Sequence, residues 1–180
     1  MKSLTGTKTR ENLLKAFAGE SQARNKYTFF ASQAKKDGYQ QIGAVFEETA
    51  GNEKEHAKIW YKILNGGGMG STEKNLKIAA EGEHGEWTSM YKGFAEEAKA
   101  EGFDKIAELF EKVGEIEKEH DERYQKLLKA LQNNTVFEKD GEVYWKCRNC
   151  GYVCKGKFPP EVCPVCSHPK SFFEVKAENY

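Results

Sequence analysis

No stretch of this chain is apolar and uncharged for the roughly 20 residues that a membrane-spanning helix requires. The N-terminal MKSLTGTKTRENLL carries no apolar run after its first lysine, so no secretory leader is expected and the protein reads as cytoplasmic. An excess of charge is missing too: 28 basic residues face 28 acidic ones, for a net charge of zero. No basic field is available to hold nucleic acid or an anionic membrane. Cysteine is absent before position 147, and all five cysteines lie between Cys147 and Cys166. In a reducing compartment such clustering indicates metal binding more than disulfides. At 180 residues the chain can bury one full core and carry one small module besides.

Apolar residues with a helical period recur from about Thr9 to Lys36, at Leu13, Phe17, Tyr27, Phe30, Ala31 and Ala34, and Asp37-Gly38 supplies a stop. A second helix is predicted from about Tyr39 to Leu64 on Ile42, Val45, Phe46, Trp60, Ile63 and Leu64. The glycine-rich run Asn65 to Ser71 breaks the pattern. A third helix is predicted from Thr72 to Glu101, stopped by Gly102, and a fourth from Phe103 to Leu131, ended by Asn133-Asn134. The fold class is therefore mostly α, a four-helix bundle over residues 1–134, with a small β-rich module over residues 135–180. In that module Thr135 to Trp145 reads as two short strands around the Asp140-Gly141 turn, and Phe172 to Val175 supplies a further one.

The halves of the helical part are copies. YTFFASQAKKDGYQQIGAVFEETAGNEKEHAKIW from Tyr27 and YKGFAEEAKAEGFDKIAELFEKVGEIEKEHDERY from Tyr91 align without a gap, each containing EKEH. Upstream the match slips, because Glu20 lies seven residues before Tyr27 and Glu83 lies eight before Tyr91. One extra residue in a helix that keeps its register predicts a π-bulge between Glu83 and Tyr91.

Residues three or four apart share a helix face. The second stripe, Ile42, Val45, Thr49, Glu53, His56, Trp60 and Ile63, places Glu53 and His56 on the core side. The fourth does the same for Glu117 and His120 through Ile106, Phe110, Val113, Tyr124 and Leu127. Glu20 lies on the first stripe, and Glu83 and Glu86 lie on the third. Five inward carboxylates without counter-charge would each cost several kcal/mol. Apart from Arg24, beside the first stripe, no lysine or arginine occupies an inward position, so a metal pair is the candidate counter-charge. One Glu from each of two helices, with Glu-x-x-His from the other two, is the pattern of carboxylate-bridged di-iron and di-manganese bundles.

Other readings stand beside this one. Glu86 is either a ligand or a solvated surface acid. Tyr27 and Tyr91 are either core aromatics or hydrogen-bonding partners of the ligating carboxylates. His84 lies off the stripe and is expected to be exposed, while Glu55 and Glu119 face outward.

Cys147-Arg148-Asn149-Cys150 and Cys163-Pro164-Val165-Cys166 are two C-x-x-C knuckles, the spacing of a tetrahedral tetrathiolate site for iron or zinc. Gly151 gives the first knuckle a backbone that tolerates positive φ. Cys154 is left over as a free thiol, and Tyr144, Trp145, Tyr152, Phe158, Phe172 and Phe173 form a small apolar shell.

With these motifs assembled, the chain resembles the rubrerythrins over essentially its whole length: a ferritin-like di-iron bundle followed by a rubredoxin-like module. The match rests on AGE around Glu20, Glu83-x-x-Glu86, both Glu-x-x-His pairs, CRNCGY and CPVC. It departs at Ser167-His168, where rubredoxins usually place glycine. The resemblance implies two oxo- and carboxylate-bridged irons and one iron on Cys147, Cys150, Cys163 and Cys166, with zinc as a possible substitute. In it Glu53 and Glu117 bridge, Glu83 and His120 are terminal on one iron, and Glu20 with either Glu86 or His56 serves the other. Glu86 and His56 would exchange on reduction.

The implied activity is a non-haem peroxidase that reduces hydrogen peroxide to water, protecting an anaerobe-type cytoplasm from oxidative stress. Electrons would arrive through the chain's own rubredoxin-like iron from an NAD(P)H-dependent rubredoxin reductase or a rubredoxin. The alternative is a ferritin-like ferroxidase. Five carboxylates leave a diferrous pair and an oxo-bridged diferric pair at the same formal charge of −1, which gives Glu86 a role in cycling. His120 precedes Gln132 by about 18 Å of helix rise, so a homodimer that brings one chain's module to the other's bundle is expected. The glycine-rich crossover would also permit exchange of helix hairpins between subunits.

Overall fold

The computed structural model describes residues 3–179; the outer limits of the two expected domains, residues 1 and 180, lie outside them. Helix α1 spans Lys8–Lys36, α2 Gln40–Leu64, α3 Thr72–Gly85, α4 Tyr91–Ala100 and α5 Asp104–Gln132. A π-helical turn, Glu86–Met90, joins α3 to α4 without a break, so the chain carries four long helices and contains the expected bulge. The chain divides into two compact units, Met1–Gly70 and Ser71–Tyr180.

Each helix begins and ends where local chemistry dictates. Thr7 Oγ1 accepts the Arg10 N–H at 3.1 Å and Ser71 Oγ accepts that of Lys74 at 3.2 Å, satisfying N–H groups that have no intrahelical partner. The first helix of each hairpin ends identically: Gly38 and Gly102 take positive φ, and the next N–H, of Tyr39 or Phe103, reaches back to the Ala34 or Ala98 carbonyl at 2.8 Å. The duplication thus extends to the caps.

Within each hairpin the seam is built from small residues at matched positions. Ala31, Ala34, Gly43 and Ala50 in the first correspond to Ala95, Ala98, Ala107 and Gly114 in the second. A methyl group placed on Gly43 would lie 2.7 Å from the Lys35 side chain and 3.3 Å from the Ala31 carbonyl, so Lys35 packs where a side chain at 43 would stand. This placement corrects the sequence expectation for the apolar stripes. Ile42, Val45, Ile63, Ile106 and Leu127 are exposed, and the buried helical side chains are mainly alanines. Close backbone approach selects residues without bulk, and the large side chains stand to either side of the seam.

The C-terminal module is a three-stranded antiparallel sheet of order β2-β1-β3, with β1 at Val143–Cys147, β2 at Val153–Gly156 and β3 at Phe173–Val175. The strand expected before Asp140-Gly141 is not formed. Strand β1 is central, with both edges taken by β2 and β3, and the preceding segment meets the module without pairing: Lys139 N–H donates to the Lys157 carbonyl at 3.1 Å, Lys139 Nζ lies 5.9 Å from the Trp145 ring centroid, and Lys170 Nζ lies 6.0 Å from that of Phe137. Trp145, Cys147, Cys163 and Phe173 form the core, and the Trp145 indole donates to the Gly156 carbonyl at 3.0 Å.

The two knuckles are conformational twins. Gly151 N–H bonds to the Cys147 carbonyl and Ser167 N–H to the Cys163 carbonyl, both at 2.9 Å, with φ of +79° at Gly151 and +56° at Ser167. A left-handed conformation costs a residue with a Cβ about 1–2 kcal/mol. Ser167→Gly is therefore expected to stabilise the module by about 1 kcal/mol, measured as a higher denaturant midpoint of Trp145 fluorescence with the helical transition unmoved.

Candidate metal centres

Two triads of the same composition occur, one in each unit. In the first, α1 contributes Glu20 and α2 contributes Glu53 and His56; His56 Nδ1 lies 2.9 Å from Glu53 Oε2 and 3.8 Å from Glu20 Oε1. In the second, α3 contributes Glu83 and α5 contributes Glu117 and His120; His120 Nδ1 lies 2.7 Å from Glu117 Oε2 and 3.8 Å from Glu83 Oε2. The duplication has copied the chemistry along with the helices. The ligand atoms of each triad lie within 4.8 Å of one another. Glu53 and Glu117, with side chains 17% and 14% exposed, sit deeper than His56 at 51%. The four acids expected to face inward are partly buried, Glu20 and Glu83 being 28% and 22% exposed.

Among the described residues the triad carboxylates form ion pairs with His56 and His120 only. Like charges therefore converge without a fixed cation, and their proton affinities show it. Glu20 holds its proton above the ordinary carboxylate range because it hydrogen-bonds to Glu53, with burial and repulsion adding to the effect. Glu53 is held low by that same bond and by His56. Burial, followed by repulsion from Glu117, raises Glu83. A bound cation would offset that repulsion.

A further sign of fit is Trp60, one turn beyond His56. Its indole nitrogen is buried and completes no hydrogen bond, although it lies close enough to Glu20 to favour the ionised form. It is a donor poised for a carboxylate drawn inward by a metal.

Glu86 belongs to neither triad. It is the first residue of the π turn, half-buried, and its charge reaches both Glu83 and the Tyr91 hydroxyl. Burial, and then Glu117, Glu86 and Glu83, raise the Tyr91 pKa, which places its hydroxyl among the acids of the second unit. Tyr27 and Tyr91 also occupy matching aromatic trios: Tyr27 with Phe30 and Phe46, Tyr91 with Phe94 and Phe110, with Phe–Phe centroids 5.6 Å apart in both. His84 is exposed, as expected, yet its ring nitrogen meets Asp121, which the sequence reading passed over. The signal was present in the final letter of EKEHA against EKEHD.

The four knuckle cysteines converge as a separate group. Cys147 Sγ and Cys166 Sγ are 3.7 Å apart, and Cys150 Sγ and Cys163 Sγ 3.6 Å. A tetrahedral site with metal–sulfur bonds of about 2.3 Å has sulfur–sulfur edges of about 3.8 Å. The His168 N–H bond to Cys166 lowers that thiol to about 6. The Tyr152 N–H likewise favours the Cys150 thiolate, but desolvation and the neighbouring sulfurs outweigh it and push Cys150 up to about 12. Cys166 is thus the thiol of the two most disposed to ionise, and Cys150 the one that most needs a cation to do so. Cys154 stands apart on β2 opposite Trp145, kept protonated by burial and by the nearby Cys163.

Comparison with known proteins agrees with both parts. Residues 11–128 match the family model described as rubrerythrin, and residues 145–174 match that of the rubrerythrin rubredoxin-like domain. The chain is 51% identical to Rubrerythrin-1 of Clostridium acetobutylicum, with all of both chains covered. It is 50% identical to the rubrerythrin of Porphyromonas gingivalis, covering 99% of this chain and 95% of that one. To the nigerythrin of Nitratidesulfovibrio vulgaris the identity is 36%, covering 92% and 85%.

Proposed function

Because the chain belongs to the rubrerythrin family, and is thereby an oxidoreductase with di-iron and rubredoxin-type iron sites, we propose that its reaction is the two-electron reduction of hydrogen peroxide to water. In this reading residues 1–134 hold the iron pair through Glu20, Glu53, His56, Glu83, Glu86, Glu117 and His120. Residues 135–180 hold a single iron through Cys147, Cys150, Cys163 and Cys166. The observation that carries the proposal is the pairing of two matched acid–histidine triads, whose ion pairs among the described residues are with His56 and His120, with a thiolate site suited to one-electron transfer.

When bound, the iron pair supplies two electrons to the O–O bond, and the tetracysteine iron replenishes them one at a time. The chain does the rest. Glu53 and Glu117, the more buried acid of each triad, would fix the ligand framework, and Glu20 and Glu83 would complete it from the other helix of each hairpin. Tyr91 carries a proton among Glu83, Glu86 and Glu117, where it can hydrogen-bond a carboxylate that changes position, and Tyr27 holds the matching place in the first unit. His56, the more exposed histidine, has the freedom to exchange with Glu86. A reductase or rubredoxin drawing on NAD(P)H is the proposed donor, and a cytoplasmic homodimer the proposed form. No helix among the described residues is long and apolar enough to cross a membrane.

The test is metal analysis and absorption spectroscopy of anaerobically reduced protein, followed by one equivalent of peroxide. Rapid reoxidation of both iron chromophores, in a dimer by size-exclusion chromatography, is expected. Indifference to peroxide, a colourless zinc-filled module, or a many-subunit cage would overturn the reading in favour of ferroxidase or structural roles.

A further inference from the structure

Asp121 is the one charged side chain buried among the described residues, 2% exposed. It occupies a place where every matched position carries a small residue: along α2 the seam runs Gly43, Ala50, Ala57, and along α5 it runs Ala107, Gly114, Asp121. Its carboxylate accepts three bonds, from His84 Nδ1 and Trp87 Nε1 on Oδ2, both at 2.9 Å, and from Gln125 Nε2 on Oδ1 at 2.6 Å. Since Asp121 can only accept, His84 carries its proton on Nδ1. These three donors offset the cost of burying the carboxylate.

Three of the four residues joined in this way follow a candidate ligand in the chain: His84 follows Glu83, Trp87 follows Glu86 and Asp121 follows His120. They stand on α3, on the π turn and on α5. The π turn has its own supports. Tyr91 N–H donates to the Glu86 carbonyl, and the Thr88 and Ser89 hydroxyls take the His84 and Gly85 carbonyls at 2.5 and 2.8 Å. Lys118 Nζ lies over the Trp87 ring, 5.7 Å from its centroid. Those contacts stabilise a wide turn without fixing where along the helix it sits, and a shift of one residue rotates each side chain by about 100°.

The first unit supplies the comparison. It has the same triad, no inserted residue, and no counterpart of this network: Ala57 stands for Asp121, Tyr61 for Gln125, and Ser21, whose hydroxyl bonds the Phe17 carbonyl at 2.7 Å, for His84. The buried charge and the extra residue occur together in one half of the repeat.

We propose that Asp121 is a positioning residue, whose bonds to His84 and Trp87 anchor the π turn to α5 and so fix Glu83 and Glu86 relative to Glu117 and His120. Its consequence for metal binding rests on the ligand assignment above; the anchoring itself does not. The experiment uses the full-length chain with two substitutions, Asp121→Asn, which keeps the shape but cannot accept all three donors, and Trp87→Phe, which removes one donor. In the metal-free protein, amide exchange over residues 84–91 is expected to accelerate in both variants while the α1–α2 hairpin keeps its protection. In a cobalt(II) titration, affinity at the carboxylate site is expected to fall about 10–100-fold, the usual effect of losing a group that orients a ligand. The cobalt–thiolate absorption of the cysteine site stays unchanged and serves as the folding control.

Wild-type exchange and cobalt affinity in both variants would overturn the proposal. So would protection lost evenly along all of α5, since that is the mark of a buried charge that merely stabilises a helix pair. Neither readout involves peroxide, so a chain inert to peroxide that still showed the local exchange effect would refute the proposed reaction and leave the anchor standing.

Discussion

Glu86→Ala is expected to lower peroxide turnover by about 10–100-fold, the scale on which lost metal-site partners act, while leaving the tetracysteine iron fully loaded. The expectation rests on where Glu86 lies. It is outside both triads, so its removal does not dismantle them, yet its charge is felt at Glu83 and at the Tyr91 hydroxyl. Without it the carboxylates number four in place of five, and the site is one unit more positive in both redox states. That favours the reduced form and slows oxidation. Glu86→Gln separates charge from shape: if the charge matters, Gln is as impaired as Ala in stopped-flow reoxidation by peroxide. Full turnover in the Ala variant, or rescue by Gln, would remove Glu86 from the reaction.

The second large effect belongs to the cysteine module. Stripping its metal, or Cys163→Ser, is expected to unfold residues from about Val143 to Val175 while the helices persist. The reason is size. The three strands have five, four and three residues, and two of the four core side chains, Cys147 and Cys163, are themselves metal-binding candidates. So small a core cannot offset its own conformational entropy, and a bound metal contributes on the order of 10–16 kcal/mol in comparable sites. Trp145, 1% exposed, reports the event. Its emission should shift to the red and the helical circular dichroism should hold. Steady-state turnover with an external donor should collapse, whereas a single reoxidation of pre-reduced protein by peroxide survives. Unchanged Trp145 emission after chelation would show that the module folds without metal and that the argument from size fails.

Part of this molecule is written in short stretches of sequence. The helix limits follow from apolar period and caps, and Gly38 and Gly102 end their hairpins with the same geometry because the same few residues surround them. The π turn was visible as one inserted residue between Glu83 and Tyr91, and the knuckles as two spacings. The Glu-x-x-His half of each triad was legible because helical geometry alone brings residues three apart together, whereas Glu20 and Glu83 join from other helices. Each of these outcomes is fixed by residues a few positions apart, whose relative placement the backbone itself sets.

Tertiary structure decided what depends on competition between distant segments. Residues 135–139 have the alternation of a strand, but β1 can offer each edge to one partner only, and β2 and β3 hold both. The apolar stripes of α2 and α5 looked like core, yet the hairpin seam went to alanine and glycine, because close backbone approach rejects bulk. Asp121 meets His84 across 37 positions, and no local pattern foretells a carboxylate in a seam of small residues. Local geometry is set by bonded neighbours, whereas burial and pairing are shared among all segments that could claim the same space, and only the folded chain settles that claim.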